Sequence, residues 1–432
     1  MAKYQKYAEY KDSGVEWLGD IPEEWSIVSI ARVSNKITNG YVGATRDIFY
    51  DSGIRYLQSL HIKKNKINFH TPYYVSEDWS NEKSKSILKE GDVLIVQTGD
   101  IGQVAAVTKE FEGCNCHALI IVSGNEKIWG FYLSWLLNSD YGCQTLKSIQ
   151  TGALHPHLNC DAIKDVKIAL PDIQIQKNIS NFLDHETAQI DTLIAKQEKL
   201  IELLKEKRQA VISHAVTKGL NPDVAMKDSG VEWLGEVPEH WEIGRLKNVL
   251  SIKNGRDYKN VEIEEDGYPV YGSGGIFKRS SEYLYDGTSV LFGRKGTVDK
   301  PLLVNGKFWT VDTMFYSELG NNINPEYAYF QSVGFPFDKL STNTALPSMT
   351  QEDLLNLGFA IPPLSEQIEI SKFITQYLEK NCSLMEKAKQ AIQLMQERRT
   401  ALISAAVTGK IDVRNWQNPN KNNIQDNMEL SA

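Results

Sequence analysis

Two stretches of the sequence place amides and cations directly after an apolar run and beside glycine. Residues 92–96 lead into Gln97-Thr98-Gly99, with Gln103 shortly after. Residues 289–292 lead into Gly293-Arg294-Lys295-Gly296. Each stretch predicts a buried strand that ends in a glycine-rich turn, where polar groups can be offered to a ligand. Lysine and arginine suit phosphate contacts, and glutamine and arginine can read base edges through paired hydrogen bonds.

Basic and histidine clusters supply further candidates for contact with a nucleic acid. A lone cluster of this kind is more often an ordinary solvated surface, so its weight depends on the architecture around it. The two histidines that flank Pro156 are predicted to lie in a turn, for which a structural role is the alternative. The candidates outside the two glycine-rich turns are Lys63, Lys64, Lys66, His155, His157, Lys278 and Arg279.

The sequence lacks the motifs that would indicate catalysis or a bound cofactor. It contains neither a phosphate-binding loop nor a dinucleotide-binding glycine motif. Asn324-Pro325-Glu326-Tyr327 resembles the Asn-Pro-Pro-aromatic element of adenine methyltransferases, but the second proline is missing. Cys114-x-Cys116-His117 has no second ligand pair, which favours buried thiols at a strand edge over a metal site. We therefore expect no catalytic residue, no cofactor and no metal.

An internal repeat dominates the chain. Residues 11–25 and 227–241 are identical at 12 of 15 positions, at an offset of 216. We call these two segments the boxes. A second repeat runs without gaps from 170–217 to 361–408 at an offset of 191. The segments between them, 26–169 and 242–360, show little identity, so repeated frames surround different contents. This order predicts a protein with pseudo-two-fold symmetry that presents two different surfaces.

The second repeat predicts two long helices. Residues 174–216 contain no glycine or proline, and apolar residues recur seven apart from Leu183 and from Ile374 in the two copies. We place these residues at heptad position a, and the side chains three residues later at position d. A helix of about 40 residues is roughly 60 Å long and cannot bury such a seam alone. We expect the two helices to form one antiparallel coiled coil; the alternative is two unrelated amphipathic surface helices.

Length and composition limit the class of protein. The chain has 432 residues and a formal net charge of −8, which excludes a uniformly basic DNA-coating protein but not local basic patches. No apolar run reaches the roughly 18 residues of a membrane span, and the first ten residues lack a signal-peptide core. The five cysteines are odd in number and irregularly spaced. We expect a cytoplasmic protein with no membrane contact.

The ordered combination of these segments resembles one family. The boxes KDSGVEWLGDIPEEW and KDSGVEWLGEVPEHW, each followed by a variable region, are similar to the specificity subunits of type I restriction-modification systems. The elements VLIVQTGDIG and VLFGRKGTV, the segments GALHPHL and TALPSM, and the helix ends RQAVISHAVTKG and RTALISAAVTGK follow the same pattern. The resemblance covers nearly all of residues 10–414.

This resemblance implies an α+β fold with two mixed α/β target recognition domains, joined by the antiparallel coiled coil. Each domain would read one half of a bipartite double-stranded DNA target. The helices would set the half-site spacing and dock two methyltransferase subunits, with up to two restriction subunits joining the complex. The subunit itself would be non-catalytic. The helix residues proposed for partner contact are Leu193, Gln197, Leu200, Leu204, Leu384, Ala388 and Met395.

The sequence predicts five segments. The first recognition domain with its box spans 1–169, and the first long helix spans 170–218. The second box and recognition domain span 219–360, and the second long helix spans 361–414. An asparagine-rich tail, 415–432, is expected to be disordered.

Two other classes of function stay open at this stage. One is a catalytic protein, such as a stand-alone methyltransferase or nuclease, which methyl transfer by the purified chain alone would support. The other is a coiled-coil scaffold with protein-binding modules, which salt-sensitive preference for one DNA sequence would reject.

Overall fold

The computed structural model describes residues 4–152, 156–342 and 347–419. The chain divides into two compact units. The first unit contains the residues up to 196 together with those from 391 onward. The second unit contains residues 197–390. Each long helix therefore contributes one half to each unit.

A four-stranded antiparallel sheet forms the middle of the first unit. Strand Val93–Val96 is buried along its whole length, because Val93 and Ile95 face one apolar core while Leu94 and Val96 face another. This two-sided burial explains its uninterrupted apolar sequence. In sheet order the strands are Val104–Ala106, Val93–Val96, Leu119–Gly124 and Ser34–Asn39.

The other elements of the first unit surround this sheet. A smaller sheet contains Asn115–Cys116, Ile54–Leu57 and Tyr74–Val75. The paired strands are Tyr10–Asp12 with Asp20–Pro22, Ser26–Ser29 with Lys167–Leu170, and Ile62–Lys63 with Lys66–Ile67. The short helices are Glu77–Glu82, Gly130–Leu137, Asp140–Ser148 and Cys160–Asp165, with 3₁₀ turns at Ile30–Val33, Ser59–His61, Ser84–Ser86 and Lys109–Phe111.

The second unit repeats this plan. Its four-stranded sheet contains Leu250–Asn254, Met314–Leu319, Ser289–Gly293 and Leu302–Val304. Its second sheet contains Glu262–Ile263, Gly275–Ser280, Tyr268–Gly272, Lys307–Thr310 and Tyr285–Asp286. The paired strands are Met226–Asp228 with Glu236–Pro238, and Glu242–Arg245 with Gly358–Ile361. The short helices are Pro325–Val333, Phe337–Leu340 and Gln351–Leu355, with a 3₁₀ turn at Leu246–Asn248.

The long helices span Ile173–Lys218 and Leu364–Val407. In the first unit, Leu183 and Ile190 of the first helix share a core with Leu402 of the second. In the second unit, Ile212 of the first helix shares a core with Ile374 of the second. The beginning of one helix thus packs with the end of the other in both units, which confirms the predicted antiparallel pairing and fold class. No helix in the described part of the chain is long and apolar enough to cross a membrane.

The seam between the helices differs from the predicted one at position d. The predicted a positions are buried or half-buried, among them Ile190, Leu204 and Asn381. Most residues three positions later, such as Leu193 and Leu200, are exposed, although Glu186 is buried, while those four positions later are buried or half-buried. Residues three and four positions apart both lie on the same side of a helix. The prediction chose a spacing of three because it selects the leucines Leu193 and Leu200. The covered residues four positions after a are Ile194, Ile201, Leu378, Met385 and Ile392.

The boxes lie against the ends of the long helices. Gly219 ends the first helix with a φ of +74°, and a Cβ there would lie 3.3 Å from the ring of Trp241. Gly409 ends the second helix with a φ of +70°, and a Cβ there would lie 2.4 Å from Pro22. Only glycine combines this backbone conformation with such close packing. The two boxes are alike because each covers the same kind of helix end.

Gln176 and Gln367 match at the offset of 191, and both are buried and make the same kind of hydrogen bonds. The side chain of Gln176 accepts the N–H of Trp129 at 2.7 Å and donates to the carbonyl of Pro171 at 2.9 Å. Gln367 makes the equivalent bonds with Asn324 at 2.8 Å and with Pro362 at 2.9 Å. Each amide joins the start of a long helix to the helix of its recognition domain, where an apolar residue would leave buried backbone groups unpaired.

The predicted disorder of the tail is wrong for its beginning. Trp416 packs on the first core, with its ring centroid 5.7 Å from that of Phe182. An aromatic side chain buries enough apolar surface to hold a short segment against the protein. Residues 420–432 of the predicted tail lie outside the described residues.

Candidate nucleic-acid interface

In the first unit, the turn after strand Val93–Val96 lies beside the loop that leads into helix Cys160–Asp165. The carbonyl of Gln97 accepts the N–H of Leu158 at 3.0 Å. The loop is closed by two backbone hydrogen bonds between Thr151 and His157, at 3.0 and 2.8 Å. Strand end, turn and loop therefore form one continuous surface in which Thr98 is exposed and Gln97 is half-exposed.

The second unit contains the same arrangement. The carbonyl of Arg294 accepts the N–H of Met349 at 3.0 Å, and Gly296 donates to the carbonyl of Pro347 at 2.9 Å. The loop is closed between Thr342 and Ser348, whose backbone hydrogen bond measures 2.9 Å. Thr342 and Ser348 occupy the positions equivalent to Thr151 and His157 at the offset of 191.

A third segment completes each surface and was not predicted. The N–H of Gly40 donates to Leu119 at 2.7 Å, and that of Gly255 donates to Met314 at 2.9 Å. Leu119 and Met314 also pair with Val96 and Gly293 on the strands that end in the two turns, so Tyr41 and Arg256 lie one strand away from those turns. A Cβ on Gly255 would lie 1.9 Å from a backbone oxygen, so only glycine permits this approach. The signal was present in the sequence, because ITNG at 37–40 and IKNG at 252–255 match at an offset of 215.

The two surfaces have the same backbone but different side chains. Where the first unit has Gln97 and Thr98, the second has Arg294 and Lys295. Lys295 is exposed, and the guanidinium of Arg294 donates to the carbonyl of Asp312 at 3.3 Å and lies over the ring of Phe315. The equivalent pairs in the other two segments are Tyr41 with Arg256 and His157 with Ser348.

The lysine cluster of the first unit lies on a hairpin next to its turn. Lys64 and Asn65 form the hairpin tip with φ values of +49° and +62°. The N–H of Lys64 donates to Oε1 of Gln103 at 3.1 Å, which joins the hairpin to the strand-end turn. Lys63 is exposed beside it, whereas Nζ of Lys66 lies 3.6 Å from a carboxylate oxygen of Asp191 on the long helix. The structure therefore brings Lys63, Lys64, Gln97, Thr98 and Gln103 together.

The basic pair of the second unit is bound to its own domain. Nζ of Lys278 lies 2.5 Å from Oε1 of Glu262, and this carboxylate raises the pKa of the lysine. The guanidinium of Arg279 donates to the carbonyl of Gly267 at 3.1 Å. Both side chains are exposed, and the carboxylate of Glu262 partly offsets the charge of Lys278, whereas the carbonyl partner of Arg279 leaves its charge in place. His155 lies outside the described residues.

The remaining polar motifs have structural roles. Oδ1 of Asn324 accepts the N–H of Tyr327 at 2.9 Å, so the Asn-Pro segment is a helix cap. Cys114 and Cys116 are buried, and burial raises the pKa of Cys114 to about 11 and raises that of Cys116 further. This confirms the interpretation of buried thiols in a strand. Among the described residues, no three His, Cys, Asp or Glu side chains are grouped so as to hold a metal ion.

The residues proposed for partner contact fall into three groups. Leu193, Leu200 and Leu384 are exposed on the long helices. Gln197, Leu204 and Met395 are half-buried. Ala388 is buried between the helices, so the proposal that it contacts a partner is wrong.

The sequence matches the family model described as the type I restriction modification DNA specificity domain, over residues 22–203 and 238–394. The chain belongs to this family. The family resemblance inferred from the boxes and helices is thereby confirmed, and the chain is a DNA specificity subunit of the type I class.

Relatives of this specificity subunit match it over nearly its whole length. The MjaVIII specificity subunit of Methanocaldococcus jannaschii is 23% identical, with 91% of this chain and 95% of the relative covered. The EcoKI specificity subunit of Escherichia coli is 21% identical, with 96% and 95% covered. The solved HsdS subunit from Thermoanaerobacter tengcongensis shares the fold, with a TM-score of 0.60 and 16% identity over 90% of this chain and 98% of that one.

Proposed function

We propose that each unit of this specificity subunit reads one half of a split DNA target through the surface described above. The observation that carries this proposal is the repetition of one backbone arrangement with different exposed side chains. A purely structural role gives no reason for the first unit to have Gln97 where the second has Arg294, or Thr98 where the second has Lys295. Two surfaces with the same shape and different hydrogen-bonding groups suit the reading of two different base sequences.

The net charge of −8 is compatible with this role. Only the DNA-facing surface needs to be positive, and bound partner subunits can supply further phosphate contacts. In the second unit, Lys295 is exposed at the turn, and Arg256 is exposed one strand away from it. In the first unit, Lys63 and Lys64 are exposed on the neighbouring hairpin. The two surfaces thus carry their cations on different segments.

The long helices are proposed to set the distance between half-sites and to dock two methyltransferase subunits. The support is the exposed apolar side chains on the long helices, among them Leu193, Leu200 and Leu384, since exposed leucines suit a protein interface. The restriction subunits are proposed to join this core. The subunit itself is proposed to supply specificity and no catalytic group.

The test is co-expression with the methyltransferase encoded beside this chain, followed by modified-base sequencing of the host DNA. A split motif with methyladenine in each half is expected. Methylation of one uninterrupted sequence would contradict the bipartite reading. Methyl transfer by the purified chain alone would contradict the non-catalytic role, and co-purification of the two chains reports whether they bind.

A further inference from the structure

A hairpin of the second unit exposes two apolar side chains next to the proposed DNA-reading surface. Strands Tyr268–Gly272 and Gly275–Ser280 are joined by a two-residue loop, and Gly272 pairs with Gly275. Ile276 is 54% exposed and Phe277 is 49% exposed. Phe277 is the extra residue of a β-bulge between the pairs Tyr271–Ile276 and Val270–Lys278, so the end of the hairpin exposes two adjacent apolar side chains.

The position of Phe277 is fixed by its own domain. Its ring packs edge-on against Tyr258, with the centroids 5.3 Å apart. It also lies over Gly272, where a Cβ would come within 3.2 Å of the ring. The aromatic side chain is therefore held in place while half of its surface is left to solvent. A pre-positioned aromatic group loses little conformational entropy when it contacts a ligand.

One backbone segment connects this hairpin to the turn at Arg294. The N–H of Val311 donates to the carbonyl of Tyr271 at 3.1 Å. The next residue, Asp312, accepts the guanidinium of Arg294 at 3.3 Å. The preceding residue, Thr310, accepts the N–H of Arg256 at 2.9 Å. The hairpin end and the two arginines therefore border the same three-residue segment, 310–312.

We infer that the tip of this hairpin enters the major groove of the half-site read by the second unit, where Ile276 and Phe277 contact thymine methyl groups. The inference rests on the proposed function. The 5-methyl group of thymine is the apolar group on the base edges of the major groove, and that groove is wide enough for a two-stranded ribbon. Phosphates would give two apolar side chains nothing to bind. The carboxylate of Glu262 lies near the tip but is paired with Nζ of Lys278 at 2.5 Å, which offsets its charge.

The first unit has a different hairpin at the corresponding place. Its strand Ile54–Leu57 pairs in parallel with Asn115–Cys116, as Tyr268–Gly272 does with Lys307–Thr310. The hairpin that follows carries Lys63 and Lys64 at its tip in place of apolar residues. Binding to the half-site read by the first unit therefore provides an internal control, because the hairpin of that unit has no apolar tip.

The experiment measures binding of the full chain, assembled with its methyltransferase, to duplexes that carry the methylated motif. Thymines of one half at a time are replaced by deoxyuridine, which lacks only the methyl group. Each half contains at least one thymine, because a methylated adenine pairs with it. The half read by the second unit is identified as the one whose recognition Arg294→Ala weakens.

For the unaltered protein, deoxyuridine in this half should weaken binding about fourfold for each methyl group contacted. The variant Ile276→Ser/Phe277→Ser should lose this discrimination in that half and keep its response to deoxyuridine in the other. Leu220→Ser, which alters a residue 40% exposed in the same unit, should behave like the unaltered protein. Thermal unfolding of each variant checks that the fold is intact.

An equal response to deoxyuridine by the double variant and the unaltered protein would overturn the inference. So would the absence of any response in the unaltered protein. If the unaltered complex showed no preference for a split motif, the proposed function would fail, and the inference with it. A weaker assembly with methyltransferase in the double variant, with thymine discrimination unchanged, would assign the hairpin to a protein interface.

Discussion

Nε of Arg399 lies 2.9 Å from Oδ1 of Asp191, and this ion pair joins the two long helices within the first unit. The arginine side chain is 18% exposed and the carboxylate 36%. The same carboxylate lies 3.6 Å from Nζ of Lys66 on the lysine hairpin. At the offset of 191, Arg208 corresponds to Arg399 in the second unit, but Cys382 stands where Asp191 would be. The sequence therefore allows this ion pair in the first unit but not at the equivalent positions, Arg208 and Cys382, of the second unit.

Arg399→Met should reduce the free energy of unfolding by about 1 kcal/mol, because a half-buried ion pair of good geometry contributes a modest amount. A double-mutant cycle with Asp191→Asn, measured by urea denaturation, should give a coupling of about 0.5 to 1 kcal/mol. Arg208→Met is the matched control and should cost less, since no carboxylate occupies position 382. Equal losses for the two arginine variants would show that the ion pair adds nothing beyond packing of the arginine.

Substitutions in the two turns should affect different halves of the target. Gln97→Ala should weaken recognition of one half, and Arg294→Ala with Lys295→Ala should weaken recognition of the other, each by about 10- to 100-fold. The measurement is the dissociation constant for duplexes in which one half at a time is scrambled. An equal loss on every duplex would reassign these side chains to phosphate contacts. No loss would remove them from the interface.

Burial of His61 should make the first unit less stable in mild acid. The N–H of Gln58 donates to Nδ1 of His61 at 2.9 Å, and Nε2 donates to the carbonyl of Thr71 at 2.8 Å, which fits the neutral ring. Desolvation lowers the pKa of His61 below its usual value of 6.5. The stabilisation is therefore fully present above pH 6.5 and is lost as the pH falls below it.

Urea denaturation at pH 7.5 and pH 5.5 tests this effect. In the variant His61→Gln, the urea midpoints at pH 7.5 and pH 5.5 should differ by less than they do in the unaltered protein. The variant should be less stable than the unaltered protein at both pH values. His214→Gln, which changes an exposed histidine of the second unit, should leave the difference unchanged. If His61→Gln retained the whole difference, another group would be responsible.

The repeats and long helices could be predicted because they depend on local patterns. Pro171 and Gly219 bracket the first helix, and two boxes of nearly identical sequence cover equivalent helix ends. The choice between positions three and four after Ile190 could not be made locally, because it depends on which side chains of the second helix lie opposite. Trp416 was missed because an asparagine-rich composition hides a single anchoring residue.

The candidate interface was predicted only in part, for a similar reason. A strand ending in a glycine turn is a local signal, and it located Gln97 and Arg294 correctly at the ends of buried strands. Whether Lys278 is available to bind DNA depends on its ion pair with Glu262, which lies on a neighbouring strand. Tyr41 and Arg256 are placed near the turns by backbone pairing with strands distant in sequence, so only the short repeat ending in Asn-Gly could have indicated them.

The proposed spacing role of the helices predicts a change in the target when the helices are lengthened. Four residues added near Leu193, with four added after Gln390 on the second helix, extend each helix by about one turn, or roughly 6 Å. Base pairs are about 3.4 Å apart along the DNA axis. The gap in the methylated motif should therefore grow by about one or two base pairs while both halves keep their sequences.

Modified-base sequencing of cells that express the lengthened chain with its methyltransferase measures this gap directly. Four residues inserted after Pro419, beyond the second helix and beyond the packed Trp416, provide a control that should leave the gap unchanged. A methylated motif with its original gap in the lengthened chain would show that the helices do not set the spacing. A gap that changes together with the bases of either half would show that the insertion has disturbed the recognition surfaces themselves.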